Sequence, residues 1–119
     1  NKEKAIEFGV DGIVVSNHGG RVLDTLVTTM DILPKIVEVV DNKIPILLDG
    51  GITRGTDILK ALALGASAVM IGKPIMYGLA TAGALGVAHS LKILKDELEI
   101  AMALTGCKTL KDINKDILF

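Results

Sequence analysis

The sequence holds 119 residues, 50% of them hydrophobic and 23% charged, with a formal net charge of −1. That length suits one ordinary domain, the apolar share excludes a disordered chain, and the charge balance gives no reason to expect nucleic acid or an anionic membrane surface as partner. Aromatic residues make up only 3% and Trp is absent, so the apolar content is aliphatic. Aliphatic runs punctuated by glycine are what buried parallel strands alternating with helices require. The single Cys107 excludes an intrachain disulfide and a cysteine metal cluster, and its helix-to-loop setting suits an inert, semi-buried thiol. No apolar run reaches membrane-spanning length, and the opening Asn1-Lys2-Glu3-Lys4 carries no apolar signal region. The expectation is a soluble cytoplasmic protein without a metal site.

Taken in chain order, the pattern predicts a helix over 2–8, stopped by Gly9 as its C-cap. A β-branched strand follows over 12–16. The helical period returns over 30–40, with Asp31 early and Pro34 placed near the first turn, where a missing N–H costs little. The second strand covers 44–49, with Pro45 at its start, where strands tolerate proline. Thr56 and Asp57 open a helix over 58–64 closed by Gly65, and the third strand covers 68–71. Helices over 75–79 and 85–103 and a short helical piece over 108–114 complete the chain. This order means consecutive parallel strands joined by crossover helices. An open doubly wound sheet and a (β/α)8 barrel both accept it, and the likeness of the strand-helix units to one another favours the barrel.

The polar residues cluster where the strands end. After the first strand come Ser16-Asn17-His18-Gly19-Gly20-Arg21, after the second Asp49-Gly50-Gly51, and after the third Gly72-Lys73-Pro74. Three glycine-rich mouths at one sheet edge imply one ligand site. Glycine lets main-chain N–H groups approach an anion, a following helix N-terminus adds a favourable dipole, and Lys73 adds charge, so the last two mouths suit a phosphate. A single such mouth would be no more than a tight turn. Two in succession, one with a lysine, point to phosphate.

His18 and Arg21 combine an imidazole that can take a proton near neutral pH with a guanidinium that grips a carboxylate bidentately. A base and a carboxylate clamp in one loop suit chemistry on the carbon beside a carboxylate. A lone loop histidine is more often structural, but Arg21 and two glycines at a strand mouth reverse that expectation. Asp49 either accepts hydrogen bonds from ligand hydroxyls or caps the next helix, and the ligand is the preferred reading. His89 reads as an ordinary helix residue. Asp96, Glu97 and Glu99, at helical spacing from Lys92 and Lys95, read as a solvated face. Met70, Met76 and Met102 read as core filler.

Residues 16–24, Ser-Asn-His-Gly-Gly-Arg-Val-Leu-Asp, resemble the signature of the FMN-dependent α-hydroxy-acid oxidizing enzymes, the family of glycolate oxidase, lactate oxidase and flavocytochrome lactate dehydrogenase. Asp49-Gly50-Gly51-Ile52-Thr53-Arg54-Gly55-Thr56-Asp57, Ala61 to Ala66 and Ile71-Gly72-Lys73-Pro74 are similar to its later motifs, in the same order. The resemblance implies the C-terminal part, about three β/α units, of a (β/α)8 barrel, with residues 1–119 forming that portion of one domain. It implies oxidation of a small (S)-2-hydroxy acid such as glycolate or L-lactate, and a homo-oligomeric full-length protein. His18 would be the catalytic base and Arg21 the substrate-carboxylate ligand. Ser16, Asp49, Gly50, Gly51, Thr53, Arg54, Gly72 and Lys73 would hold FMN.

The family commonly carries Arg where this chain has Thr53 and Lys73, so a forked phosphate donor is replaced twice. The family's flavin-N1 lysine, substrate tyrosines and the aspartate that orients the base belong to earlier strands. The chain therefore reads as a fragment unlikely to act alone. Its end, Ile117-Leu118-Phe119, is not a Ser-Lys-Leu peroxisomal address, although peroxisomal relatives exist. The alternative is a non-catalytic half-barrel that binds a phosphate or a partner chain. A different phosphate-binding barrel enzyme, such as a type II isopentenyl diphosphate isomerase, needs no carboxylate clamp at Arg21.

Overall fold

A computed structural model describes residues 2–118. Its elements run α1 (Lys2–Glu7), β1 (Ile13–Val15), α2 (Thr29–Val40), β2 (Ile46–Asp49), α3 (Gly55–Ala63), β3 (Ala68–Met70) and α4 (Lys73–Leu104). Short 3-10 turns lie at His18–Gly20, Leu110–Asp112 and Lys115–Ile117, so the helical piece expected over 108–114 is a single 3-10 turn, with a second beyond it.

The strands pair parallel in the order β1-β2-β3, with Val14 opposite Leu47 and Leu47 opposite Ala68. Side chains alternate across a strand, so Val15 and Leu48 share one face while Val14, Leu47 and Ala68 share the other. The first face is the core: Val15, Ile46 and Leu48 are buried against Leu33 and Val40 of α2, Ile58 and Ala61 of α3, and Leu94 of α4. The second face is open, with Val14 52% and Met70 42% exposed. Among the described residues β1 and β3 each pair along one side only.

Local chemistry explains the element ends. Thr28 caps α2, its hydroxyl accepting the Asp31 N–H at 3.2 Å. Because α2 starts at Thr29, Pro34 falls inside the helix and not in its first turn. It removes a backbone bond from the second turn. Gly65, at φ +105°, turns the chain back after α3 under Val37, which a Cβ there would strike. The α4 segment is interrupted at Ala82 and Gly83, whose φ values are −147° and +58°. This matches the two helices expected over 75–79 and 85–103. The two arms then pack so closely that a Cβ on either Gly78 or Gly86 would overlap the other's backbone.

Past the second arm, Leu59, Ala63, Ala101, Cys107 and Ile113 form a smaller core. Cys107 is buried there, its thiol 3.7 Å from the Asp112 carbonyl. Met102 packs against this cluster as core filler, whereas Met70 and Met76 are exposed.

Candidate functional site at the C-terminal edge of the strands

All three strands end at the same edge, so the loops that follow them meet. His18, Arg21, Asp49, Gly51, Thr53 and Lys73 line one cleft of about 320 Å³, together with Gly19, Gly50, Ile52, Gly72, Met70 and Met76. Met70 and Met76 are therefore cleft walls and not core filler. Met70 follows from the alternation that puts Val14 on the open face. A neighbouring cleft, lined by Asn17, Thr28, Thr29 and Met30, shares Gly19, Gly50, Gly51 and Lys73 with the first.

The loop after β1 is shaped by backbone in the left-handed region. His18, Gly19 and Gly20 have φ of 54°, 66° and 71°, a conformation glycine adopts freely and other residues adopt at some cost. Backbone bonds from Gly20 N–H to Asn17 O and from Arg21 N–H to His18 O close the turn. Ser16 anchors its base. The hydroxyl accepts the His18 N–H at 3.1 Å and donates to Asp49 Oδ2 at 2.6 Å. A short hydroxyl–carboxylate bond of that kind is charge-assisted. It joins the end of β1 to the end of β2, and it leaves Asp49 facing the cleft instead of capping α3.

The loop after β2 turns through Gly50 and Gly51, at φ +96° and +80°. Thr29, buried at the start of α2, donates its hydroxyl to the Gly50 carbonyl at 3.2 Å. Gly50 is packed tightly, since a Cβ there would lie 3.2 Å from Asn17 Oδ1. Gly51 is different: nothing lies within 4 Å of its would-be Cβ, and the same holds for Gly72. These two glycines open a bare-backbone cradle with Lys73 at the start of α4.

Thr53 and Arg54 both bond to carboxylates of the protein. Asp57 accepts the Thr53 N–H at 3.1 Å, the Thr53 hydroxyl at 3.3 Å and the Arg54 N–H at 2.9 Å. Thr53 lines the cleft, but its hydroxyl proton is committed to Asp57. Arg54 is absent from the cleft lining and its Nε donates to Glu97 at 3.1 Å.

Glu97 corrects the reading of a solvated charge run. Asp96 pairs with Lys92 at 2.6 Å and Glu99 with Lys95 at 3.6 Å, as expected of a solvated face. Glu97 instead turns inward, and its carboxylate is held below the ordinary range, chiefly by the Gly55 N–H and then by Arg54. A signal for this exists in the sequence: the residues three and four positions from Glu97 are Ile93, Leu94, Ile100 and Ala101, all apolar. His89 is exposed on its helix, as expected.

A cleft of this composition, at the carboxyl ends of consecutive parallel strands, defines a β/α protein whose chemistry is carried by its strand-end loops. More narrowly, the chain belongs to the FMN-dependent dehydrogenase family, whose sequence model matches residues 1–119. It is 58% identical over 113 residues to a peroxisomal (S)-2-hydroxyacid oxidase of Arabidopsis thaliana, covering 95% of this chain and 31% of that protein. It is 55% identical over 115 residues to an L-lactate oxidase of Nostoc, covering 97% and 32%. Among solved structures, a mandelate oxidase holding 3,3-difluoro-2-hydroxy-3-phenylpropionic acid superposes with a TM-score of 0.92 at 46% identity, over 96% of this chain and 34% of that one. The chain thus spans about a third of the length of these relatives. The likeness resolves the architecture in favour of the barrel, of which these are successive β/α units. Among the described residues no helix is long and apolar enough to cross a membrane.

Proposed function

We propose that residues 1–119 form the C-terminal portion of an FMN-dependent dehydrogenase domain that oxidises a small (S)-2-hydroxy acid, such as glycolate or L-lactate, to the 2-oxo acid. The observation that carries this reading is the single cleft shared by His18, Arg21, Asp49 and Lys73. Its donor set suits FMN. Gly51 and Gly72 offer bare backbone, Lys73 offers a cation at the start of α4, and the Asp49 carboxylate can accept hydrogen bonds from the hydroxyls of a ribityl chain. Bound FMN supplies a two-electron acceptor for the substrate's α-carbon.

The chain's own residues do the rest. Arg21 grips the substrate carboxylate, and its planar fork fixes the direction of the α-carbon. As the alcohol becomes a ketone, one hydrogen leaves the carbon and one leaves the oxygen. An imidazole nitrogen of His18 takes a proton from the substrate, the role that a general base in such a loop can fill. Ser16 holds the His18 backbone N–H and Asp49 together, so the base and the ribityl acceptor are fixed relative to each other. Met70 and Met76 give the cleft an apolar wall. The proposed compartment is the cytoplasm, and imaging of a full-length fusion checks it against a peroxisomal site.

The test is anaerobic stopped-flow reduction of the full-length flavoprotein by glycolate and L-lactate. His18→Ala should retain FMN and lose roughly two to four orders of magnitude in reduction rate, the usual contribution of a general base. Arg21→Lys should raise the substrate requirement and slow reduction together, since a point charge does not reproduce the bidentate alignment. Near wild-type reduction by His18→Ala would overturn His18 as the base, and wild-type flavin that no 2-hydroxy acid reduced would favour the phosphate-binding module instead.

A further inference from the structure

The β2–α3 turn that contributes Gly50, Gly51 and Thr53 to the cleft is tied at its far end to a residue more than forty positions later in the chain. Glu97 Oε2, on the second arm of α4, accepts the Gly55 N–H at 2.7 Å and the Arg54 Nε–H at 3.1 Å. The approach is so close that a Cβ on Gly55 would overlap Glu97 and the backbone nitrogen of Leu98. Gly55 is buried, and Glu97 retains only 27% of its side-chain exposure. Asp57 holds the same turn from within α3 through the Thr53 and Arg54 N–H groups. Two carboxylates from different helices therefore pin three successive residues.

We propose that Glu97 is a positioning residue for the cofactor, fixing the end of the 50–55 turn so that Gly51 presents its backbone in a set direction to the FMN phosphate. Arg54 belongs to this clamp as the partner of Glu97 and is not itself a phosphate ligand. The inference rests on the reading that the cleft binds FMN. Its physical basis is preorganisation. A turn built on two glycines has unusual conformational freedom, and a ligand that must order the turn itself binds more weakly than one that meets it already fixed. Glu97 also links the closing helix to that turn, so α4 contributes to the cleft at both of its ends, through Lys73 and through Glu97.

The test is titration of the full-length apoprotein with FMN, followed by flavin fluorescence. Glu97→Ala should weaken FMN binding about tenfold, the scale of coupling within one hydrogen-bonded network. Arg54→Ala should weaken it by a smaller factor, because the Gly55 N–H bond to Glu97 survives, and the double variant by no more than the Glu97→Ala loss. Glu97→Gln keeps an acceptor for the Gly55 N–H and should recover most of the affinity, which separates clamp loss from misfolding. FMN affinity of Glu97→Ala within twofold of wild type would overturn the proposal, as would single losses that multiply in the double variant. A wild-type protein that bound no FMN would overturn the cleft reading as well. Tight wild-type binding that tolerated Glu97→Ala would overturn the clamp alone.

Discussion

The two helices that start at the cleft begin in opposite ways. At the N-terminus of α3, the chain's own carboxylates take up the backbone donors: Asp57 accepts from Thr53 and Arg54, and Glu97 accepts from Gly55. At the N-terminus of α4, Gly72 makes no side-chain cap hydrogen bond, and Lys73 and Pro74 follow it directly. The first four N–H groups of a helix need acceptors from outside it, and the dipole there favours negative charge. A helix start already filled by protein carboxylates is structural, and one left to glycine, lysine and proline is open to an anion. Both mouths look alike as glycine-rich turns, so the difference lies in where neighbouring carboxylates fall.

The strongest way to break this contrast is to add one carbon at each start. Gly55→Ala forces a Cβ into Glu97 and Leu98 and should cost about 3 kcal/mol, the upper range for overpacking, or prevent accumulation of folded protein. Gly72→Ala meets open space at a negative φ and should change stability by no more than about 0.5 kcal/mol. Thermal melting of the two full-length variants checks this, and equal losses would erase the distinction.

A smaller effect separates the two cations. Lys73→Ala should weaken FMN binding by roughly 2–3 kcal/mol, as expected for a lost charged hydrogen bond, and Arg54→Ala by less, because Arg54 acts through Glu97. Dissociation constants in the reverse order would place the phosphate at α3.

The smallest effect is one of pH. The folded Glu97 carboxyl is held below its ordinary value, so the unfolded chain binds its proton first as pH falls. The stabilisation it gives is complete above its unfolded pKa and disappears as pH falls through the lower folded one. Asp112, lowered chiefly by the Thr109 N–H, behaves in the same direction. The melting-temperature difference between wild type and Glu97→Gln should therefore be constant at neutral pH and shrink below about pH 4.5. A difference that grew on acidification would show that Glu97 is not ionised in the clamp.

Much of the fold was legible in the sequence because its signals are local. The aliphatic runs at Ile13, Ile46 and Ala68, Gly9 and Gly65 after α1 and α3, and Asp57 early in α3 each act within a few residues. So does the interruption at Gly83, where no helical period continues. The cleft residues were legible for a related reason. In a parallel β/α chain every strand ends at the same edge, so polar residues that follow strands must meet, and His18, Arg21, Asp49 and Lys73 do.

The sequence by itself thus determined the β/α order, the shared edge and most of the cleft, since hydrophobic period and turn chemistry need no distant partner. Only the tertiary structure decided which charges are spent inside the protein. Glu97 and Arg54 lie 43 positions apart, and Ser16 and Asp49 lie 33 apart. Each pair forms because two elements pack at one place, and a carboxylate's partner is then set by distance in space, not along the chain. The same packing exposes Met70 and Met76 to the cleft, because which face of a strand or helix is buried depends on what covers it.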